Sequence, residues 1–168
     1  MTPADVLTDG LSRVQEGVEG VLDGLDDDAL AHRPGPDANS IAWLVWHLTR
    51  VQDDHVAGVA GTDQAWTEQG YLDRFGLDLD PGDIGYGHTS EQVAQVRAGA
   101  ELLLDYYRAT HARSLAYLAT VTAADLDRVV DTNWDPPVTL GVRLVSVVND
   151  CTQHVGQAAY LKGLLSRG

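Results

Sequence analysis

Residues 7–25 read LTDGLSRVQEGVEGVLDGL. Their apolar positions, Leu7, Leu11, Val14, Val18, Val21 and Leu25, recur at steps of 4, 3, 4, 3 and 4. That spacing draws a narrow apolar seam along a helix, the face a helix buries in a bundle; strand alternation, with its period of two, cannot produce it. Gly17, Gly20 and Gly24 interrupt the stretch, and each lowers intrinsic helix preference by roughly 1 kcal/mol relative to alanine. Such a helix must be held by packing against neighbours. Asp26–Asp28 and the stretch Arg33-Pro34-Gly35-Pro36 end it.

Three further segments repeat the pattern. Asn39-Ser40 can cap a second helix, continued by Ile41, Leu44, Leu48, Val51 and His55 and closed by Gly58 and Gly61. Thr89 and Ser90, with Gln92 following, mark a third helix start, lined by Val93, Val96, Ala100, Leu103, Tyr107, Leu115 and Leu118. Thr139 caps a fourth helix that runs to about Ser166. Between the second and third lies a long connection, about residues 61–88, rich in Gly, Asp and aromatics such as Trp66, Tyr71, Phe75 and Tyr86. A connection of that length is usually functional or packed over a site. Only Val129-Val130-Asp131 and Val138 offer a short extended piece. The expectation is an all-α four-helix bundle with one long crossover connection, forming one domain over residues 1–168.

Composition narrows the partners. The chain carries 11 basic and 25 acidic residues, a net charge of −14. Such a field repels phosphate backbones and anionic membranes. No apolar run approaches the ~18 residues a membrane span needs. The opening MTPADVLTDG lacks the basic and apolar blocks of a secretory signal, so a cytoplasmic protein is expected. The single cysteine, Cys151, excludes an internal disulfide and a cysteine-rich zinc site. All basic residues but Lys162 are arginine, which with abundant Ala, Gly, Val and Asp points to a GC-rich bacterial source.

The chemistry-bearing residues cluster in two places. Asp150 and His154 are four apart and stack on one face of a helix, where two side chains can grip one ion. Their neighbours Leu144, Val147, Val155, Ala158 and Leu161 are apolar. An aspartate turned into such an interior is costly unless it is paired or bound to metal; the alternative is an Asp–His pair on the helix surface. His47 is isolated in the apolar turn Trp43-Leu44-Val45-Trp46-His47-Leu48. It is either a core histidine bonded to a carbonyl or a third ligand from a facing helix.

The chain resembles the DinB-like superfamily of metal-binding four-helix bundles. The resembling residues are Trp46-His47-Leu48, then His154-x-Gly156-Gln157 and Leu161-x-Gly163-Leu164-Leu165, in the same order and spacing over nearly the whole chain. Within that superfamily, the stretch from Asn39 to His55 is most similar to the actinobacterial thiol transferases that use mycothiol. The resemblance implies a helical bundle and one divalent metal ion held by His47, Asp150 and His154. Zinc is the first expectation; nickel, iron and manganese suit the same donors. Where the family carries a third histidine this chain has Asp150, which gives two histidines and one carboxylate. The implied partners are a small-molecule thiol, mycothiol or similar, and an electrophile, with a homodimer as the implied assembly.

Three protein ligands leave coordination positions open for chemistry. Such a site can deprotonate a thiol, activate water for hydrolysis, or support Fe(II) oxygen chemistry; the resemblance favours thiol transfer. A bundle that binds a ligand without catalysis, its site degenerate, is the competing reading. Asp54, seven residues after His47, either orients a ring nitrogen of the site or is a solvated charge. Arg50 and Arg143 either hold a substrate carboxylate at the mouth or form surface salt bridges. His55 is the reserve ligand should Asp150 not serve. Cys151 reads as a buried small hydrophobe. Trp43, Trp46 and Tyr160 read as core or pocket wall, Trp66 as packing for the long connection. His111 has no assigned role.

Overall fold

The computed structural model describes residues 1–166. Thr2 opens the first helix: its hydroxyl accepts the N–H of Asp5 and the Asp5 carboxylate accepts the N–H of Thr2 in return. Helix α1 (Pro3–Leu22) buries Leu11, Val14, Val18 and Val21, four of the seam positions read from the sequence. It stops short of Leu25 because Asp26 accepts the N–H of Ala29 and starts a separate helix, α2 (Asp27–Ala31). Gly17 is explained by contact: a Cβ there would stand 2.9 Å from Cγ2 of Val155, so glycine lets α1 approach the last helix closely.

Helix α3 (Ile41–Ala60) begins at Ser40, whose hydroxyl accepts the N–H of Trp43, and ends at Gly61 in the left-handed conformation. The connection that follows is not structureless. It contains α4 (Ala65–Glu68) and α5 (Tyr71–Phe75), with Trp66 and Phe75 packed into the core. The third segment is two helices rather than one. Thr89 caps α6 (Ser90–Gln95), the chain then turns through the buried Val96, and α7 (Ala100–Leu118) starts at Gly99. After a 3-10 turn at Ala123–Asp127, β1 (Val129–Asp131) and β2 (Val138–Thr139) form a small antiparallel hairpin. Thr139 caps α8 (Leu140–Leu165).

The long helices form a closed ring of four: α3 packs on α7 and α8, and α1 packs on the same two from the other side. The connection 61–88 covers the remaining side of α3, so every residue from Ile41 to Asp53 is buried. Five of these are polar, His47, Thr49, Arg50, Gln52 and Asp53, and none of them is idle. Thr49 bonds back to the Val45 carbonyl, and Gln52 donates to Ser114. Asp53 accepts from the N–H groups of Ala65 and Trp66 and from the Tyr106 hydroxyl, while Arg50 bonds Gln64 and Tyr106. These bonds fasten the connection to the bundle. Tyr160 departs from the expectation of a core or pocket position: it is 71% exposed, on the outward side of α8. Among the described residues, no helix is long and apolar enough to cross a membrane.

Candidate metal centre

Helices α3 and α8 run antiparallel: Leu44, early in α3, lines a cavity with Leu161, late in α8, while His55, late in α3, lines another with Arg143, early in α8. This packing sets His47 of α3 opposite the turn of α8 that carries Asp150 and His154. One donor atom from each of the three lies within 4.8 Å of the other two. The imidazoles of His47 and His154 meet edge to face at 4.6 Å between centroids, and Trp43 stacks on His47 at 4.6 Å.

The hydrogen bonds fix which ring atoms are free. Nδ1–H of His47 donates to the Ile84 carbonyl. Nδ1–H of His154 donates to the carbonyl of Asp150, 2.8 Å away. A carbonyl only accepts, so each Nδ1 carries the proton and each Nε2 keeps its lone pair. Oδ2 of Asp150 is buried and makes no regular hydrogen bond; its near neighbour is Nδ1 of His154, 3.4 Å away. Two imidazole nitrogens and a carboxylate oxygen at this separation fit a divalent cation, and the outer hydrogen bond on each histidine is the usual support for such a ligand. Burial pushes the His47 pKa down, against the Ile84 bond, and the neighbouring His154 adds to the fall. Burial acts on His154 in the same direction, but its bonds to the Asp150 carboxylate and carbonyl outweigh it and its pKa lies above the ordinary value. Burial would raise the Asp150 carboxyl; the two histidines hold it below its ordinary value, ionised and ready to ligate.

A turn of the long connection, residues 83–88, closes over His47. Gly85 has φ +99°, and a Cβ there would stand 2.5 Å from Nδ1 of His47, so the backbone lies directly on the ring. Trp43 Nε1–H donates to His88 Nδ1 at 3.0 Å, and His88 Nε2–H donates to Asp83 Oδ2 at 2.8 Å. The N–H of Gly85 donates to Asp83 Oδ1 at 2.8 Å. Arg50 Nε donates to the Asp83 carbonyl at 3.1 Å, and Trp46 stacks on His88. None of Asp83, Ile84, Gly85 and His88 stood out in the sequence. They sit in a stretch with no helical or strand period, and their sole signal was a histidine one residue after Gly87 in a long connection.

The remaining candidates fall elsewhere. Arg50 does not reach the mouth: its guanidinium is fully buried, 4.7 Å over the Trp66 ring and bonded to Gln64 and Tyr106. Asp54 does not orient His47, whose Nδ1 is taken by Ile84. It accepts from Gln64 and lies 3.4 Å from His55. Arg143 pairs with Asp131 at 2.8 Å, and with Asp54 and His55 it lines a polar cavity of about 580 Å³ beside the hairpin. Arg143 is two turns from Asp150 on α8 and His55 two turns from His47 on α3, so His55 does not join the triad. Cys151 is buried and its thiol pKa is pushed far up by that burial. His111 stacks on Tyr107, away from the site. Tyr86, largely exposed, stands edge-on to His47 at the mouth.

Comparison with known proteins agrees with this architecture. A conserved protein from Enterococcus faecalis of known crystal structure is 34% identical, with a TM-score of 0.93 over 100% of this chain and 99% of its own. A DinB-like protein from Bacillus cereus, 18% identical, shares the fold with a TM-score of 0.59 over 95% of this chain and 91% of its own. A search of curated proteins gives no match. The family model for mycothiol S-transferase matches residues 6–166, all but the ends of the sequence. The chain belongs to the mycothiol S-transferase family.

Proposed function

We propose that this protein is a metal-dependent S-transferase that joins a low-molecular-weight thiol, mycothiol or one like it, to an electrophilic small molecule. The observation that carries the reading is the convergence of the buried Asp150 carboxylate, whose Oδ2 makes no regular hydrogen bond, with two histidines whose Nε2 lone pairs are both free. His47, Asp150 and His154 would hold the ion, zinc by our reading. When bound, it supplies the Lewis acidity that turns a thiol into a thiolate at neutral pH. Three protein ligands are the number that catalytic rather than closed structural sites present.

The chain's own residues do the rest. Trp43 shields one face of His47 from water, and Tyr86 walls the mouth. Arg143, Asp54 and His55 offer donors and acceptors in the adjoining cavity for the polar part of a substrate. Cys151 supplies no nucleophile, since burial keeps it a neutral thiol, so the reacting sulfur comes from the co-substrate. A cytoplasmic location, where a low-molecular-weight thiol is kept reduced, belongs to the same reading.

The test is elemental analysis of the purified chain followed by thiol conjugation to a chromogenic electrophile, with and without chelator. About one divalent ion per chain and chelator-sensitive conjugation are expected. Conjugation that survives in a His47→Ala/His154→Ala double variant sinks the reading. Ester or amide cleavage that needs the metal but no thiol would instead make it a hydrolase. A homodimer is the proposed assembly. The exposed positions of α8 between Val142 and Tyr160 carry no charge, so two chains of net charge −14 can bring this face together without opposing like charges across it. Light scattering checks it.

A further inference from the structure

We infer that Asp83 and His88 are positioning residues for the metal ligand His47, acting through the peptide group between Ile84 and Gly85. The inference rests on the metal reading above and adds residues to it.

The argument is one of polarity along a closed circuit. Trp43 Nε1–H can only donate, so His88 Nδ1 must accept and His88 Nε2 must carry the proton. Nε2–H then needs an acceptor, and Asp83 Oδ2 is that acceptor. The second oxygen of the same carboxylate accepts the N–H of Gly85. That N–H belongs to the peptide unit whose C=O is the Ile84 carbonyl, the group that takes the proton of His47 Nδ1. Asp83 therefore grips one end of a planar peptide while His47 is held by the other. The circuit leaves α3 at Trp43 and returns to it at His47, one turn later, where the two rings stack.

Nothing in the circuit is redundant. The His88 side chain is only 2% exposed and is held face-on by Trp46, so no water stands in for either of its bonds. Arg50 anchors the carbonyl of Asp83 to α3 from a second direction. The consequence is a single tautomer and a single ring orientation for His47, with Nε2 turned to Asp150 and His154. Outer hydrogen bonds that fix a histidine in this way are typically worth ~10–100-fold in metal affinity.

The experiment measures Co²⁺ and Zn²⁺ affinity of the full chain by competition with a chromophoric chelator, together with the visible spectrum of the Co²⁺ form. Asp83→Asn is the principal variant because it is isosteric. An amide offers one acceptor and one donor, so whichever way it turns, either His88 Nε2–H or Gly85 N–H faces another donor. His88→Phe breaks the circuit at another link. His88→Gln can still accept from Trp43 and donate to Asp83.

Asp83→Asn and His88→Phe are expected to bind both ions about 10–100-fold more weakly, with a changed Co²⁺ spectrum, and His88→Gln to recover most of the affinity. Folded Asp83→Asn protein with unaltered affinity and spectrum overturns the inference while leaving the metal reading intact. An unaltered chain that takes up neither ion overturns both. Should His88→Phe fail to fold, Asp83→Asn alone decides.

Discussion

The α-carbon of Gly85 sits so close to the imidazole of His47 that a single added methyl would stand 2.5 Å from Nδ1. A residue in the middle of an irregular connection thus controls a side chain in the most buried helix. Gly85→Ala meets both a steric conflict and an unfavourable φ of +99°. A loss of ~1–3 kcal/mol of stability is expected, and the displaced turn should take the Ile84 carbonyl away from His47. Urea unfolding of the metal-free protein reads the first effect; metal titration of the folded variant reads the second.

Asp150 is expected to separate metal binding from folding. Its Oδ2 is buried and makes no regular hydrogen bond, only a 3.4 Å approach to Nδ1 of His154, so its removal sets the relief of a desolvated carboxylate against the loss of that pairing. Asp150→Ala should change the metal-free melting temperature little, yet abolish the rise that added Zn²⁺ gives the unaltered chain. Paired thermal melts with and without the ion check this. A Zn²⁺-dependent rise that persists in the variant would remove Asp150 from the ligand set.

Asp53 should be among the costliest positions in the chain. It accepts three hydrogen bonds, from Ala65, Trp66 and Tyr106, and lies 4.0 Å from the buried Arg50 guanidinium. Asp53→Ala leaves that cation uncompensated and the start of α4 uncapped, with an expected loss of ~3–5 kcal/mol. Chemical denaturation reads it. Loosening of the connection should also appear as faster hydrogen exchange across residues 64–88.

His111 should give the metal-free protein a pH dependence of a stated sign. Burial lowers its pKa below the ordinary 6.5, with Glu19 opposing weakly, and Nδ1 has no partner. The unfolded chain binds a proton at pH 6.5 that the folded chain refuses. The stability tied to this residue is therefore complete above about pH 6.5 and falls as pH drops below it. Urea midpoints at about pH 7.5 and 5.5 should differ less in His111→Phe, which keeps the stack on Tyr107, than in the unaltered chain.

The sequence by itself determined the four long helices and a short extended piece at Val129–Asp131 and Val138. Local periodicity and capping residues suffice for that: Leu11, Val14 and Val18 announce their face, and Ser40, Thr89 and Thr139 announce where helices start. It also placed Asp150 and His154 on one face, since four residues make one helical turn. Where the reading strayed, a local device had intervened. Asp26 captured the chain before Leu25, and Gly99 restarted a helix that the apolar spacing alone ran together. What only the tertiary structure decided is everything that spans the ring. The antiparallel packing of α3 on α8 puts His47 opposite the Asp150 and His154 turn. The folding-back of residues 83–88 lays Ile84 and Gly85 on its imidazole and buries Arg50, which the sequence left free to reach a substrate. Those contacts of His47 join residues 37 to 107 positions apart. No local period encodes them, because they arise only when burying the apolar seams brings distant turns together and each buried polar group must then find a partner.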